Sequence, residues 1–166
     1  MPISFGLPRL SWPCGLTFDV KRGRLLLSSL GGEGFLYAYD VDAESWSVVA
    51  SMKNVDTTGL VWSKYEDCLY ALSVDHGDRS KNSLVKLTAN GVLTETVKLG
   101  DELPNLGHHP RCQLIPVNDK IVLLAPGEPV EDRHDRPATH SYVIDSETGS
   151  IEYSTKLEPQ ISLVAG

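Results

Sequence analysis

The chain has 166 residues, of which 41% are hydrophobic and 22% charged, and its formal net charge is −7. This is the composition of an ordinary globular domain, and the acidic balance argues against nucleic acid, which needs a basic face. The sequence contains no run of 18 apolar residues and opens without a basic and apolar leader, so we expect neither a membrane span nor a secretory signal.

Three cysteines, Cys14, Cys68 and Cys112, lie far apart and form no CxxC pair. An odd and sparse set of this kind predicts neither a disulfide framework nor a zinc site. We expect the three thiols to be small buried hydrophobic side chains, and such cysteine usage favours a cytosolic protein.

The first predicted unit covers about residues 15–52. Short apolar and β-branched runs, each followed by a polar turn, are typical of strands. Its four strands are predicted at residues 15–19, 25–27, 35–39 and 46–49.

The second unit, at about 59–99, repeats this order, with strands predicted at 59–63, 69–72, 84–87 and 92–97. The third unit, at about 111–157, has strands predicted at 111–115, 121–124, 141–144 and 151–154. The offset between the first strands is 44 residues and then 52 residues. No window has a convincing helical period, so the chain is expected to be all-β with almost no helix.

Repeated four-stranded units of about 45 residues are typical of β-propeller blades. The connections between the first and second strands and between the third and fourth strands are short and rich in Asn, Asp and Gly, which favour tight hairpins. We call the side of the protein that carries these hairpins the turn side. The remaining connections are longer and lie on the opposite side, the loop side, where function is usually found on a rigid scaffold.

The first repeat resembles a kelch motif. An apolar strand is followed by the doublet Gly31-Gly32, then by Tyr39, Trp46 and a closing Met52. The resemblance implies that the Tyr and Trp pack between blades. Other features, such as the 145–149 turn, look more like the NHL and quinoprotein-like propellers.

A propeller closes with four to eight blades, whereas the repeats give three. We therefore expect a half propeller, which two copies could complete as a six-bladed ring, or which the remaining blades of a larger chain or complex could complete. The whole chain, 1–166, is taken as one domain, with further strand-like pieces at 3–5 and 161–165.

The loop side gathers most of the candidate ligand-binding residues, including four of the five histidines. These candidates are Trp12, Glu33, Asp56, Asp75, His76, Asp78, His108, His109, Arg111, Asp132 and His134. Within this set, Glu33, Asp56 and Asp75 are the candidate ligands for Ca²⁺, which prefers hard oxygen donors. The alternative is that all of these are solvated loop residues with no ligand.

Two classes of function follow. The first is a non-catalytic module that binds a protein or a small ligand through the loop side and needs no cofactor. The alternatives are a calcium-dependent hydrolase similar to lactonase-type propellers, and a structural fragment that completes a larger propeller. Membrane and nucleic-acid partners are not expected.

Overall fold

A computed structural model describes residues 12–30, 35–51, 57–73, 82–99, 103, 112–126 and 139–157. These residues form three separate four-stranded antiparallel sheets and contain no helix. Within each sheet the strands follow one another in chain order, so every sheet is an up-and-down meander. This confirms the predicted all-β fold built from propeller blades. Within these same ranges, no helix is long and apolar enough to span a membrane.

Blade 1 consists of β1 (Trp12–Asp19), β2 (Arg24–Leu30), β3 (Phe35–Asp40) and β4 (Ser45–Ser51). Four-residue turns at 20–23 and 41–44 join β1 to β2 and β3 to β4. Backbone angles in the left-handed region at Gly23 and Glu44 allow these turns to close.

Blade 2 consists of β5 (Thr57–Ser63), β6 (Cys68–Ser73), β7 (Ser83–Thr88) and β8 (Leu93–Lys98). Asp67 and Gly91 have positive φ in its two tight turns. Every residue of β6 up to Leu72 is buried, as expected for an apolar strand with a blade on each side.

Blade 3 consists of β9 (Gln113–Val117), β10 (Lys120–Pro126), β11 (Thr139–Asp145) and β12 (Ile151–Leu157). Here the predicted first strand, 111–115, is wrong by two residues. The hairpin between β9 and β10 has only two turn residues, Asn118 and Asp119, where blades 1 and 2 have four. Because Asn118 takes a positive φ of 56°, the strand can continue two residues further before it turns.

The blades stack in chain order, with their first strands side by side: β1 lies against β5 and β5 against β9. This is the arrangement of propeller blades, with the first strands innermost. A Cβ added to Gly15 would lie 2.6 Å from Leu60 Cβ and 2.7 Å from Leu60 N, so only glycine permits this approach of β1 to β5.

Two hydrophobic clusters fill the spaces between the blades. Leu26, Leu36 and Ala38 of blade 1 pack against the face of blade 2 that carries Trp62 and Leu69. The opposite face of blade 2, with Tyr70 and Leu72 at its centre, packs against Leu114, Ile121, Leu123 and Tyr142 of blade 3. Blade 2 is therefore covered on both faces, and the core is divided into two layers.

Candidate functional site

The predicted ligand-binding residues fall almost entirely outside the described ranges. Trp12 is the first residue of β1, and its backbone alone is described. The structure does not describe the other ten: Glu33, Asp56, Asp75, His76, Asp78, His108, His109, Arg111, Asp132 and His134. The candidate calcium ligands Glu33, Asp56 and Asp75 are among these, so the loop-side site stays a prediction. The described part of the chain holds no group of three or more His, Cys, Asp or Glu residues that could bind a metal ion.

On the turn side, charged residues tie blade 1 to blade 2. Asp67, in the β5–β6 turn, accepts hydrogen bonds from Arg22 Nη1 at 2.8 Å and from Lys21 Nζ at 2.5 Å, both in the β1–β2 turn. The hydrogen bonds from Arg22 and then from Lys21 hold the pKa of Asp67 well below its usual range. This contact has no local signature in the sequence, because Arg22 and Asp67 are 45 residues apart and neither belongs to a motif.

Asp19 anchors the same network from within the blade. Its side chain is fully buried and accepts hydrogen bonds from Arg22 Nη1 and Arg24 Nε, each at 3.1 Å to Oδ2. Arg24 also donates to the carbonyl oxygen of Ala89, 2.5 Å away in the β7–β8 turn of blade 2. The two arginines thus offset the desolvation cost of the buried Asp19 carboxylate. They also link both turns of blade 2 to blade 1.

A second polar group lies around the start of β6. The Tyr70 hydroxyl donates to Glu66 Oε1 at 2.6 Å, and Lys86 Nζ pairs with the other Glu66 oxygen. Burial, and then the hydrogen bond to Glu66, raises the pKa of Tyr70 to about 12. Burial alone would raise the pKa of Glu66, but the hydrogen bonds from Lys86 and Tyr70 outweigh it and lower that pKa. Both groups therefore hold fixed protonation states at neutral pH.

Blade 3 has an equivalent brace. Lys120 Nζ lies 2.6 Å from Asp145 Oδ2 and 2.8 Å from Glu152 Oε1. Asp145 Oδ1 also accepts hydrogen bonds from the backbone amides of Glu147 and Thr148, which is an Asx turn. Lys120 first, and then Thr148, hold the pKa of Asp145 below its usual range. These charged groups tie together the strands and a turn of blade 3, whereas Arg22, Lys21 and Arg24 join blade 1 to blade 2.

The cysteines behave as predicted where they are described. Cys68 and Cys112 are buried and unbridged, and both belong to the cluster between blades 2 and 3. Burial raises the pKa of the Cys112 thiol to about 11 and that of Cys68 above its ordinary value. Both thiols are buried, whereas a reactive cysteine is exposed.

The outer face of blade 1 has no described blade against it. Thr17 Oγ1 accepts a hydrogen bond from the amide of Trp62, which turns Thr17 toward blade 2 and its neighbours in β1 away from it. We call this outward surface the upstream face; two cross-strand rows make it up. They are Phe18, Leu25, Tyr39 and Trp46, and Leu16, Leu27, Tyr37 and Val48. The Tyr39 and Trp46 rings pack with their centroids 5.1 Å apart.

The upstream face is buried at its centre and exposed at its margins. Leu27, Tyr37 and Tyr39 are buried, whereas Leu16 is 63% exposed and Val48 58% exposed. Single exposed apolar residues are common on surfaces, but a continuous patch of them marks an interaction site.

The outer face of blade 3 also has no described blade against it, and we call it the downstream face. In each strand of blade 3, every second residue packs on blade 2. The residues between them therefore point outward and form the downstream face. Its two central rows are Ile115, Val122, Val143 and Tyr153, and Gln113, Leu124, Ser141 and Thr155. Ile115 and Tyr153 are exposed, and Val122, Leu124 and Val143 are half-buried.

Comparison with known proteins supports the fold. No family model and no curated protein matches the chain. Among solved structures, a nidogen/laminin complex matches with 14% identity over 88% of this chain and 48% of that chain, at a TM-score of 0.59. A GH43_12 protein retrieved from a capybara gut metagenome matches with 15% identity over 88% of this chain and 30% of that chain, at a TM-score of 0.60.

A Kuenenia stuttgartiensis hydrazine synthase also matches, with 12% identity over 88% of this chain and 37% of that chain, at a TM-score of 0.56. The chain thus spans 30% to 48% of the length of these three structures. At such low identities the likeness shows the fold alone, and that fold is a partial β-propeller.

Proposed function

We propose that this chain is a non-catalytic β-propeller module that binds a protein or a small ligand through its loop side. One observation carries the proposal. The charged groups of the turn side described above are paired with one another across turns and blades, as Asp67 is with Arg22 and Lys21. These contacts fix the scaffold, which leaves the longer loops at the opposite ends of the strands as the variable surface.

Within the propellers, we propose that the first repeat is kelch-like. The contact between the Tyr39 and Trp46 rings supports this, because the motif places these two aromatics where they can pack between blades. The other marks of the motif, Gly31-Gly32 and Met52, lie outside the described residues.

A calcium titration tests the proposal against its main alternative, the calcium-dependent hydrolase. Isothermal calorimetry of the full chain with Ca²⁺ should show no stoichiometric binding. The matched variants Asp75→Asn on the loop side and Glu147→Gln on the turn side should behave like the wild type. Stoichiometric binding that is lost in Asp75→Asn or Asp56→Asn but kept in Glu147→Gln would overturn the proposal in favour of the enzyme.

A thermal-shift screen with a defined panel of metabolites gives the positive test. A compound that raises the Tm of the wild type and of Glu147→Gln, but not of His76→Ala, binds on the loop side. A compound whose effect depends on Glu147 instead would place binding on the turn side and contradict the proposal.

A further inference from the structure

We infer that residues 3–7, in the segment that leads into β1, lie across the upstream face of blade 1 as an extended apolar strap. These residues lie outside the described ranges, and the burial pattern of the face itself is what indicates their position. The strap is independent of the loop-side ligand, so either proposal can fail without the other.

The centre of the upstream face is shielded from solvent, although no described blade lies against it. Leu27 is 8%, Tyr37 9% and Tyr39 6% exposed. The Nε1 atom of Trp46, whose ring packs beside Tyr39, is also buried and has no hydrogen-bond partner among the described residues. Blade 2 does not supply this cover, because it packs on the opposite face of the same strands.

The downstream face shows how exposed such a centre is when no described blade covers it. Val122, Leu124 and Val143 lie in the two middle strands of blade 3, and all three are half-buried rather than buried. Packing among the side chains of one sheet therefore leaves these positions partly open. The difference between the two centres indicates that a further part of the chain lies on the upstream face.

The cover on blade 1 is narrower than a blade. Leu60 and Trp62, in the inner strand of blade 2, are buried against a whole blade. The corresponding residues of blade 1, Leu16 and Phe18, are 63% and 43% exposed. Burial on the upstream face is thus confined to a strip over β2 and β3, and two neighbouring strands are about 10 Å wide. A single extended segment has a footprint of this width.

Residues 3–7 have the pattern that this strip requires. The sequence predicts a strand-like piece here, in which Ile3, Phe5 and Leu7 alternate with a serine and a glycine. In an extended chain the three apolar side chains point to the same side, and the segment from Ile3 to Leu7 is about 13 Å long. This is also the length of residues 35–39 of β3, which include the two buried tyrosines.

The connection to β1 is long enough to place the strap there. Five peptide steps join Leu7 to Trp12, the first residue of β1, and an extended chain covers about 17 Å in five steps. The strip lies about 7 Å from β1 across the sheet, and a packed segment lies about 10 Å above it, so the distance to span is roughly 12 Å.

The other segments outside the described ranges fit this face less well. Residues 158–166 follow β12 of blade 3, and sheets stack about 10 Å apart, so the far side of blade 1 is about 30 Å away. The four steps from Leu157 to Ile161 cover only about 14 Å. Residues 31–34 have no apolar side chain, and residues 52–56 lead from β4 to blade 2, on the opposite face. The remaining connections begin and end on blades 2 and 3.

Substitutions at alternate positions of the strap test its placement. Phe5→Asp should raise the ratio of unfolded to folded full chain at least about tenfold, because it brings a charge onto an apolar face. Ser4→Asp is the matched control, since its side chain points away from the face, and it should change this ratio less than about twofold. Urea unfolding followed by circular dichroism measures both. Equal effects of the two variants would reject the strap.

A double-mutant cycle locates the contact. Phe5→Ala and Leu27→Ala each remove one side of it, so their effects on the folding equilibrium constant should be coupled by at least about twofold. The control pair is Phe5→Ala with Leu114→Ala, whose site lies between blades 2 and 3, and the effects of this pair should simply multiply. Absence of coupling between Phe5 and Leu27 would overturn the inference.

Nuclear Overhauser effects test the same contact in the unaltered protein, which guards against variants that merely misfold. Cross-peaks between the Phe5 ring and the Leu27 methyl groups are expected in the full chain at every concentration. Cross-peaks from Leu27 to Ile161 or Leu163 instead would assign the cover to residues 158–166. Cross-peaks that disappear on dilution would assign it to a second copy of the chain. Either result would reject residues 3–7 as the cover.

Discussion

Leu60 and Leu16 occupy the same position in the first strands of blades 2 and 1, yet their surroundings differ completely. Leu60 is 5% exposed because blade 1 packs on it, whereas Leu16 is 63% exposed. The two blades have the same strand order and similar register, so the difference comes from what lies beside each blade and not from the blade itself. Leu60 lies in the cluster between two blades, whereas Leu16 lies at an exposed margin of the face of blade 1 that no described blade covers.

The largest expected effect uses this pair directly. Leu60→Ala should lower the free energy of unfolding by about 2–5 kcal/mol, because it leaves a cavity between two blades. Leu16→Ala should change it by less than about 0.5 kcal/mol, because the side chain is exposed. Urea unfolding of both variants measures the difference. Similar losses for the two variants would mean that Leu16 is buried in solution, as Leu60 is.

The second comparison is between glycines with positive φ. Gly149→Ala should cost about 2–4 kcal/mol, since its Cβ combines left-handed backbone strain with a clash against the Lys98 carbonyl of blade 2. Gly23→Ala should cost only the backbone term, about 1 kcal/mol, because nothing lies within 4 Å of its added Cβ. Thermal unfolding of the two variants separates contact from conformation. Equal losses would show that the turns of blade 3 do not press on blade 2.

A smaller effect is expected at Glu44, which corresponds to Gly91 in blade 2 and Gly149 in blade 3. Each of the three lies two positions before the first fourth-strand residue that follows the turn and pairs with Tyr39, Leu87 or Ile144, respectively. Glu44→Gly should stabilise the folded chain by about 0.5–1 kcal/mol, because glycine adopts the φ of 49° without strain. Gly91→Glu, the reverse change at the equivalent position of blade 2, should be strongly destabilising. The register implies that the two turns are equivalent. If both substitutions change the free energy of unfolding in the same direction, they are not.

The smallest effect is expected from the exposed ion pairs between blades 1 and 2. The pKa of Asp67 is lowered in the folded protein, so as the pH falls the unfolded chain takes up this proton first. The stabilisation is therefore complete above about pH 5 and is lost as the pH falls below about 4, the ordinary value for aspartate. Asp67→Asn should reduce stability at pH 7, and the difference from wild type should vanish in acid and shrink in high salt.

Urea unfolding of wild type and Asp67→Asn at pH 7 and pH 3 provides that measurement. Asp42→Asn, which removes an exposed carboxylate from a turn of blade 1, is the control for net charge. A stability difference at Asp67 that persists unchanged at pH 3 would contradict the ion-pair explanation.

The sequence alone determined the strands and their order, because short apolar runs between Asn, Asp and Gly turns specify local hairpins. It failed by two residues at β9, where the shorter turn at Asn118 and Asp119 shifted the strand although the apolar pattern looked continuous. It also named the residues of the loop side, whose arrangement depends on long connections that local pattern does not define.

Only the tertiary structure decided which face of each blade is covered. Strand alternation predicts two apolar faces for every blade, but whether Leu16 or Leu60 is buried depends on contacts between residues more than 40 positions apart. The same holds for Glu44, which looks like an ordinary turn residue until Gly91 and Gly149 are seen pressed against their neighbours. Packing between repeats is a non-local property, so the sequence specified three blades, and the structure showed how blade 2 is covered on both of its faces.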